Sequence, residues 1–295
     1  MELSWFNRYI LMTLHYNVYR RRPSALVTGC SEELRIAKPV LLGYSPEITK
    51  CQECEFSGQG CEMLGQIPPT PYDLRFFVVG IPVRVHPIFW LTSAFLAWEP
   101  ERMDLVVTRV LCIFVAILVH ELGHAIVTRA FGWQPEIVLY FFGGYATTGR
   151  HSTWKNIAVS AAGPTAGLSL YILTKIVGIE AVKNGVIQSD VLIDAIGFSL
   201  FINQVWNFMN LVPVLPLDGG QISREFFCWL LPRGGMDLSL KLSVAASGGL
   251  TLWSLYCMSN EQSVLGLQPG FLAIMFGYLC YQGLQQLQSR RKGYW

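Results

Sequence analysis

The sequence predicts an α-helical polytopic membrane protein with about six transmembrane helices, and three observations carry that prediction. Hydrophobic residues make up 52% of the chain and charged residues only 14%, against about 25% charged in soluble domains. A chain so composed has too few polar side chains to cover itself in water. From His86 onward, apolar blocks alternate with short polar breaks, the pattern of successive membrane spans. Lys and Arg then fall on alternate sides of those blocks, eighteen on the side of the N-terminus against two or three on the other. The excess of positive charge marks the cytoplasmic side, so both termini are expected there.

Taken in order, residues 1–75 are polar and broken by Pro23, Pro39, Pro46, Pro68, Pro69 and Pro71. They are read as a cytoplasmic, cysteine-containing N-terminal region. Met1 to Arg22 shows no apolar core before a small-residue cleavage site, so no secretory signal is expected. "FFVVGIPVRV", Phe76 to Val85, alternates weakly and reads as a short strand or connector. The apolar blocks follow at about 86–98, 105–130, 155–178, 190–212, 242–259 and 269–286, with a short basic tail. The first is short for a span: thirteen or fourteen residues give about 21 Å of helix against a core of about 30 Å. These blocks divide the rest of the chain into a membrane core, 76–225, and C-terminal helices, 226–295. The net charge of +2 is too small to imply nucleic acid.

His120-Glu121-Leu122-Gly123-His124 lies inside the second block. On a helix, positions i and i+4 share a face, so both imidazoles can reach one ion while Glu121 points toward a water bound to it. Zinc suits such ligands, being tetrahedral, tolerant of nitrogen and redox-inert. Intramembrane ionisable groups usually mark function rather than packing. A catalytic zinc needs a third protein ligand and one open position. Asp218, in "NLVPVLPLDGG", is the foremost candidate, since the prolines and glycines around it make irregular backbone that membranes tolerate beside a cavity or protein interior. Its other reading is as the cap of a helix starting after Gly219-Gly220. Asp194 is the weaker competitor, near the opposite end of its span. His124 precedes Arg129 by five residues, about 8 Å along the helix, so both halves of the site are expected near the cytoplasmic face.

The chain resembles the site-2 protease family of intramembrane zinc metalloproteases, and within it the compact bacterial branch that includes the sporulation-factor processing protease. His120 to His124 match the family's H-E-x-x-H. Asn210, Pro213, Leu217, Asp218 and Gly219 match its N-x-x-P-x-x-x-L-D-G. "FFGGYATT" (Phe141 to Thr148) resembles the glycine-containing strand after the catalytic helix, "SAAGPTAG" (Ser160 to Gly167) the small-residue motif of the next span, and "VRVHPIFWL" the start of the first span. The resemblance covers about residues 78–225 in the expected order. It implies a three-helix catalytic core with a short β-hairpin or strand segment after the H-E-x-x-H helix, and zinc held by His120, His124 and Asp218. It also implies hydrolysis of a membrane-anchored protein substrate in the lipid bilayer of the cell's inner membrane. Zinc-bound water is then the nucleophile and Glu121 the general base. Gly143 and Gly144 are expected to accept unwound substrate as an added strand, and Asn210 to hold the substrate backbone or brace the Pro-Leu-Asp-Gly turn. Asn203 and Asn207 read equally well as interhelical hydrogen-bonding residues, and Gly163 and Gly167 as a packing pair.

Cys30, Cys51, Cys54 and Cys61 offer a second, structural zinc site, the other reading being a loop of unpaired thiols. Cys112, Cys228, Cys257 and Cys280 lie in or beside apolar blocks and are expected to pack as small hydrophobes. The short stretch after residue 286 departs from relatives with a C-terminal nucleotide-binding domain, which speaks against regulation of the ATP type. Two other classes compete with a protease. A metal transporter or sensor would use the same ligands without hydrolysis, but gives Glu121 no task. An inactive scaffold would have no need of an intact ligand set with its base.

Overall fold

The computed structural model describes residues 68–141, 143–146, 152–260, 262, 264 and 267–292. Two strands come first, β1 (Leu74–Val78) and β2 (Ile81–Val85), antiparallel across Val79 and Gly80. Both loop residues have positive φ, 51° and 72°, as a two-residue hairpin turn requires. Arg129 Nη1 donates to the Val79 carbonyl at 2.7 Å and holds the tip. The stretch 76–85 is therefore most of a hairpin, not one strand or a connector: Gly80 supplies the turn that weak alternation hides. β2 pairs in parallel with β3 (Ile137–Tyr140), which pairs antiparallel with β4 (Gly143–Ala146). The sheet order is β1-β2-β3-β4, so the expected hairpin after the H-E-x-x-H helix is present as β3 and β4.

Helix α1 (Pro87–Leu96) starts where His86 Nδ1 accepts the Ile88 N–H at 3.2 Å and Pro87 occupies the first turn. Its ten residues rise only about 15 Å, half of a hydrocarbon core. The helix in the block at 86–98 is thus too short to cross that core unaided. Thr92 Oγ1 instead donates to the Phe141 carbonyl at 2.6 Å, tying α1 to the sheet.

Three helices follow that are long and apolar enough to cross a membrane: α2 (Met103–Ala130), α3 (Thr153–Lys183) and α4 (Asp190–Asn210). They pack against one another, and with the composition they make the chain a membrane protein. Then come α5 (Asp218–Leu230), α6 (Gly235–Ser259) and α7 (Pro269–Lys292). The last two pair closely, and α6 also packs on α5. Serines and glycines along α6 and glutamines along α7 dilute their hydropathy, so among the described residues three helices, not six, meet the length and composition of a span.

The sheet is anchored by its inward face. Ile81, Val83, Val85, Ile137 and Leu139 join Phe89 of α1 and Ile113, Ile117 and Ala125 of α2 in one core. A second core joins Val205 and Met209 of α4 to Cys257 of α6 and Leu272 and Phe276 of α7. These two clusters set α2 and α4, the two helices between which the site lies, in fixed relation to the sheet and to the C-terminal pair. Cys228 and Cys257 are buried and Cys112 and Cys280 half-buried, none of the four in a disulfide. Cys30, Cys51, Cys54 and Cys61 lie outside the described residues.

Candidate metal centre

His120 and His124 stand one turn apart on α2, with 2% and 8% of their surface exposed. Asp218 comes to them from the start of α5. Leu217 is that helix's cap residue and gives no side-chain cap, while Asp218 is its first helical residue. The Asp218 carboxylate faces the histidines instead of its own helix, Oδ2 lying 3.1 Å from His120 Nε2 and Oδ1 3.3 Å from His124 Nε2. The capping reading is therefore not what the chain adopts. The turn that delivers Asp218 closes on its own glycines: a Cβ on Gly219 would lie 2.1 Å from the Leu211 carbonyl oxygen, and one on Gly220 2.4 Å from the Val214 carbonyl carbon. Side chains are excluded there by backbone. From the other side, the Leu215 N–H donates to Ser243 Oγ of α6 at 2.9 Å.

Both imidazoles have their outer nitrogens committed. His120 Nδ1 lies 3.1 Å from Asn207 Oδ1, and His124 Nδ1 lies 2.7 Å from the Val159 carbonyl oxygen. The Asn207 amide is oriented by its own Nδ2, which donates to the Asn203 carbonyl at 2.6 Å. Each partner oxygen is an acceptor, so each Nδ1 carries the proton and each Nε2 presents a lone pair. The two Nε2 atoms are 3.2 Å apart with the carboxylate beside them. With both rings neutral, as metal ligation requires, three acceptors converge, and a cation among them relieves their repulsion. Ligands of a tetrahedral zinc, each about 2.0–2.1 Å from the ion, lie about 3.3 Å from one another. The observed separations of 3.1–3.3 Å fit that edge. Gly163 of α3 completes the cradle: a Cβ there would lie 2.1 Å from His124 Nε2 and 2.8 Å from His120 Nε2, so glycine keeps space open against the ligating nitrogens. The residues fit a zinc ion.

Glu121 follows His120 and is 5% exposed, and its carboxylate makes no hydrogen bond or ion pair among the described residues. Of the other sequence candidates, Asn210 ends α4, its amide donating to the Trp206 carbonyl at 3.0 Å. Gly143 and Gly144 open β4, which ends the sheet and packs along α2. Asp194 is not with this group: Arg109 grips it at 2.7 and 2.9 Å. The sequence reads Asn207 as an interhelical hydrogen-bonding residue, which it is, without naming His120 as its partner, and reads Gly163 and Gly167 as packing residues only. The signal available was the four-residue spacing of Ser199, Asn203 and Asn207 and of Gly163 and Gly167, which puts each set on one helix face.

Comparison with known proteins adds family information. Residues 108–185 match the model of peptidase family M50. A putative zinc metalloprotease of Synechocystis is 36% identical over 177 residues, covering 58% of this chain and 44% of that protein. Stage IV sporulation protein FB of Bacillus subtilis is 29% identical over 190 residues, covering 62% of this chain and 61% of that one. The chain thus spans about half the length of the curated relatives it matches. A solved structure, the site-2 protease from Methanocaldococcus jannaschii, aligns at a TM-score of 0.48 with 21% identity, over 73% of this chain and 95% of that one.

Proposed function

We propose that this chain is an intramembrane zinc endopeptidase that hydrolyses a peptide bond within or near the transmembrane segment of a membrane-anchored protein. The observation that carries the reading is the buried convergence of His120 Nε2, His124 Nε2 and the Asp218 carboxylate, with Glu121 next to His120 on the same helix. The M50 match over residues 108–185, which contain the H-E-x-x-H, and the metalloprotease names of the relatives support it.

His120, His124 and Asp218 are assigned as the protein's three ligands, leaving a fourth position open. When bound, zinc supplies a Lewis acid that polarises a carbonyl and makes water acidic. Glu121 takes the proton of the attacking water and returns it to the leaving amine. The protonated Nδ1 atoms of both histidines, held by Asn207 and Val159, keep Nε2 directed inward throughout. A helical substrate hides its peptide bonds in internal hydrogen bonds, so it must unwind. Gly143 and Gly144 at the end of the sheet accept it as an added strand, and Asn210 meets its backbone beyond the Pro-Leu-Asp-Gly turn.

The Lys and Arg distribution supports about six membrane crossings with both termini in the cytoplasm and the site near that face of the inner membrane. A second, structural zinc on Cys30, Cys51, Cys54 and Cys61 belongs to the same proposal; metal analysis giving two zincs per chain supports it, and one removes it. The test of the main reading is Glu121→Gln. It should retain zinc while cleavage of a membrane-anchored substrate falls by roughly 10²–10⁴-fold or more. Wild-type cleavage by this variant would sink the mechanism.

A further inference from the structure

The surroundings of His120 contain a device that the ligand set alone does not explain. On α4, Ser199, Asn203 and Asn207 follow one another at four-residue spacing and so share a face. Asn203 Nδ2 donates to the Ser199 carbonyl at 2.8 Å, and Asn207 Nδ2 to the Asn203 carbonyl at 2.6 Å. Asn203 and Asn207 are each 1% exposed. With its Nδ2 spent on its own helix, the Asn207 amide has one orientation, Oδ1 toward His120 Nδ1.

The facing helix is shaped to admit that amide. A Cβ on Gly167 of α3 would lie 2.3 Å from both Nδ2 and Oδ1 of Asn207, closer than any side chain can tolerate. One turn earlier, Gly163 clears the ligating nitrogens themselves. The α2 side is equally close, where a Cβ on Gly123 would lie 2.4 Å from the Ala162 carbonyl oxygen. The two glycines of α3 therefore do different work, one beside the ligands and one beside the group that orients a ligand.

We infer that Asn207, seated in the notch left by Gly167, is a positioning residue that sets the tautomer and ring orientation of His120 for metal binding; this rests on the zinc reading above. An oxygen acceptor at Nδ1 keeps the proton there and raises the basicity of Nε2, and loss of such a partner typically weakens metal binding about 10–100-fold. Gly167 acts only through Asn207, so the two positions are coupled.

The test is zinc affinity of the full chain by chelator competition, read independently of cleavage, for Asn207→Ala, Gly167→Ala, the double variant and Asn207→Asp. Asn207→Ala and Gly167→Ala should each weaken binding by roughly 10–100-fold, and the double variant no more than Asn207→Ala alone. Asn207→Asp, which keeps the oxygen acceptor, should stay within a few-fold of wild type. Wild-type affinity in Asn207→Ala overturns the inference. A loss in Asn207→Asp equal to that in Asn207→Ala overturns it too, since packing alone would then be at stake. Gly167→Ala keeps the Asn207 residue but displaces its amide, and it decides the matter if Asn207→Ala does not fold: wild-type zinc affinity in Gly167→Ala then overturns the inference. His120→Ala separates this from the underlying reading: if it keeps its zinc, the metal site fails, whereas loss there with wild-type affinity in Asn207→Ala removes Asn207 only.

Discussion

Helices α2 and α4 meet twice through charged or polar side chains, and the two meetings are built on opposite principles. Near their N-termini, Arg109 forks onto both oxygens of Asp194 at 2.7 and 2.9 Å, with Glu99 at 3.4 Å and the Phe198 ring 5.4 Å beneath the guanidinium. Donors face acceptors and the charge closes on itself. Eleven residues further along α2, about 16 Å of helix, His120 meets Asn207 on one side and Asp218 on the other. There, with neutral imidazoles, every inward atom is an acceptor able to ligate a metal. A self-neutralised cluster holds helices together; a cluster of converging acceptors holds something else. The same contrast explains why Asp194 is a structural residue and Asp218 a candidate ligand, although both are acids in an apolar chain.

The comparison can be broken most directly by metal analysis. His120→Ala or Asp218→Ala should remove one zinc per chain entirely, while Asp194→Ala should leave the zinc content at the wild-type value. Metal retained in Asp218→Ala would place the two clusters in the same class. Next in size is Gly163→Ala, whose new methyl would press on His124 Nε2 at 2.1 Å. Zinc affinity should fall at least about tenfold, with cleavage falling alongside. Gly197→Ala on α4, where a Cβ would meet nothing within 4 Å, should leave both unchanged.

The self-neutralised cluster is tested by stability instead. Arg109→Met leaves Asp194 charged without its partner and should cost roughly 1–3 kcal/mol in thermal unfolding, less than for a fully buried pair because both side chains keep some solvent. Adding Asp194→Leu should recover most of that loss at unchanged zinc content. Failure to recover would show that the pair is more than a helix clamp.

The smallest effect comes from a third cluster, outside the spans. Burial opposes ionisation of Asp73, but hydrogen bonds from the Thr70 hydroxyl and N–H, with the Arg84 guanidinium, bring it down to about 2. Because the folded value lies below the ordinary value near 4, the carboxylate stabilises the fold above about pH 4 and loses that contribution as pH falls toward 2. The melting difference between wild type and Asp73→Asn should accordingly be constant from pH 8 to 5 and shrink between about pH 4 and 2. A difference that grows on acidification would reverse the sign of this assignment.

Much of the candidate site was legible before any coordinates. His120, Glu121 and His124 announce themselves because ionisable groups are rare in apolar helices, and Asp218 because prolines and glycines break the backbone around it. The β3–β4 hairpin was expected from the resemblance of "FFGGYATT" to the family's glycine-containing strand. The β1–β2 hairpin was less legible, since its turn residues are Val79 and Gly80 and a valine at positive φ gives no turn signal. The block at 86–98 reads as a weak span because one face is covered against the sheet, as at Phe89, while Leu91 and Phe95 on its helix of only ten residues, and Trp98 just after it, stay exposed.

Composition and spacing, through the 3.6-residue repeat and the scarcity of charge, by themselves determined that this is a membrane protein, that two histidines share a helix face, and that an acid lies in a broken turn 94 residues after the second. The broken turn already favoured Asp218 over Asp194; the tertiary structure adds that Arg109 holds Asp194 while Asp218 faces the histidines. It alone also gave Asn207, Gly163 and Gly167 their places. A glycine's value is the space it leaves for another helix, and an asparagine's is the atom it faces across an interface. Neither is written along the chain that carries it.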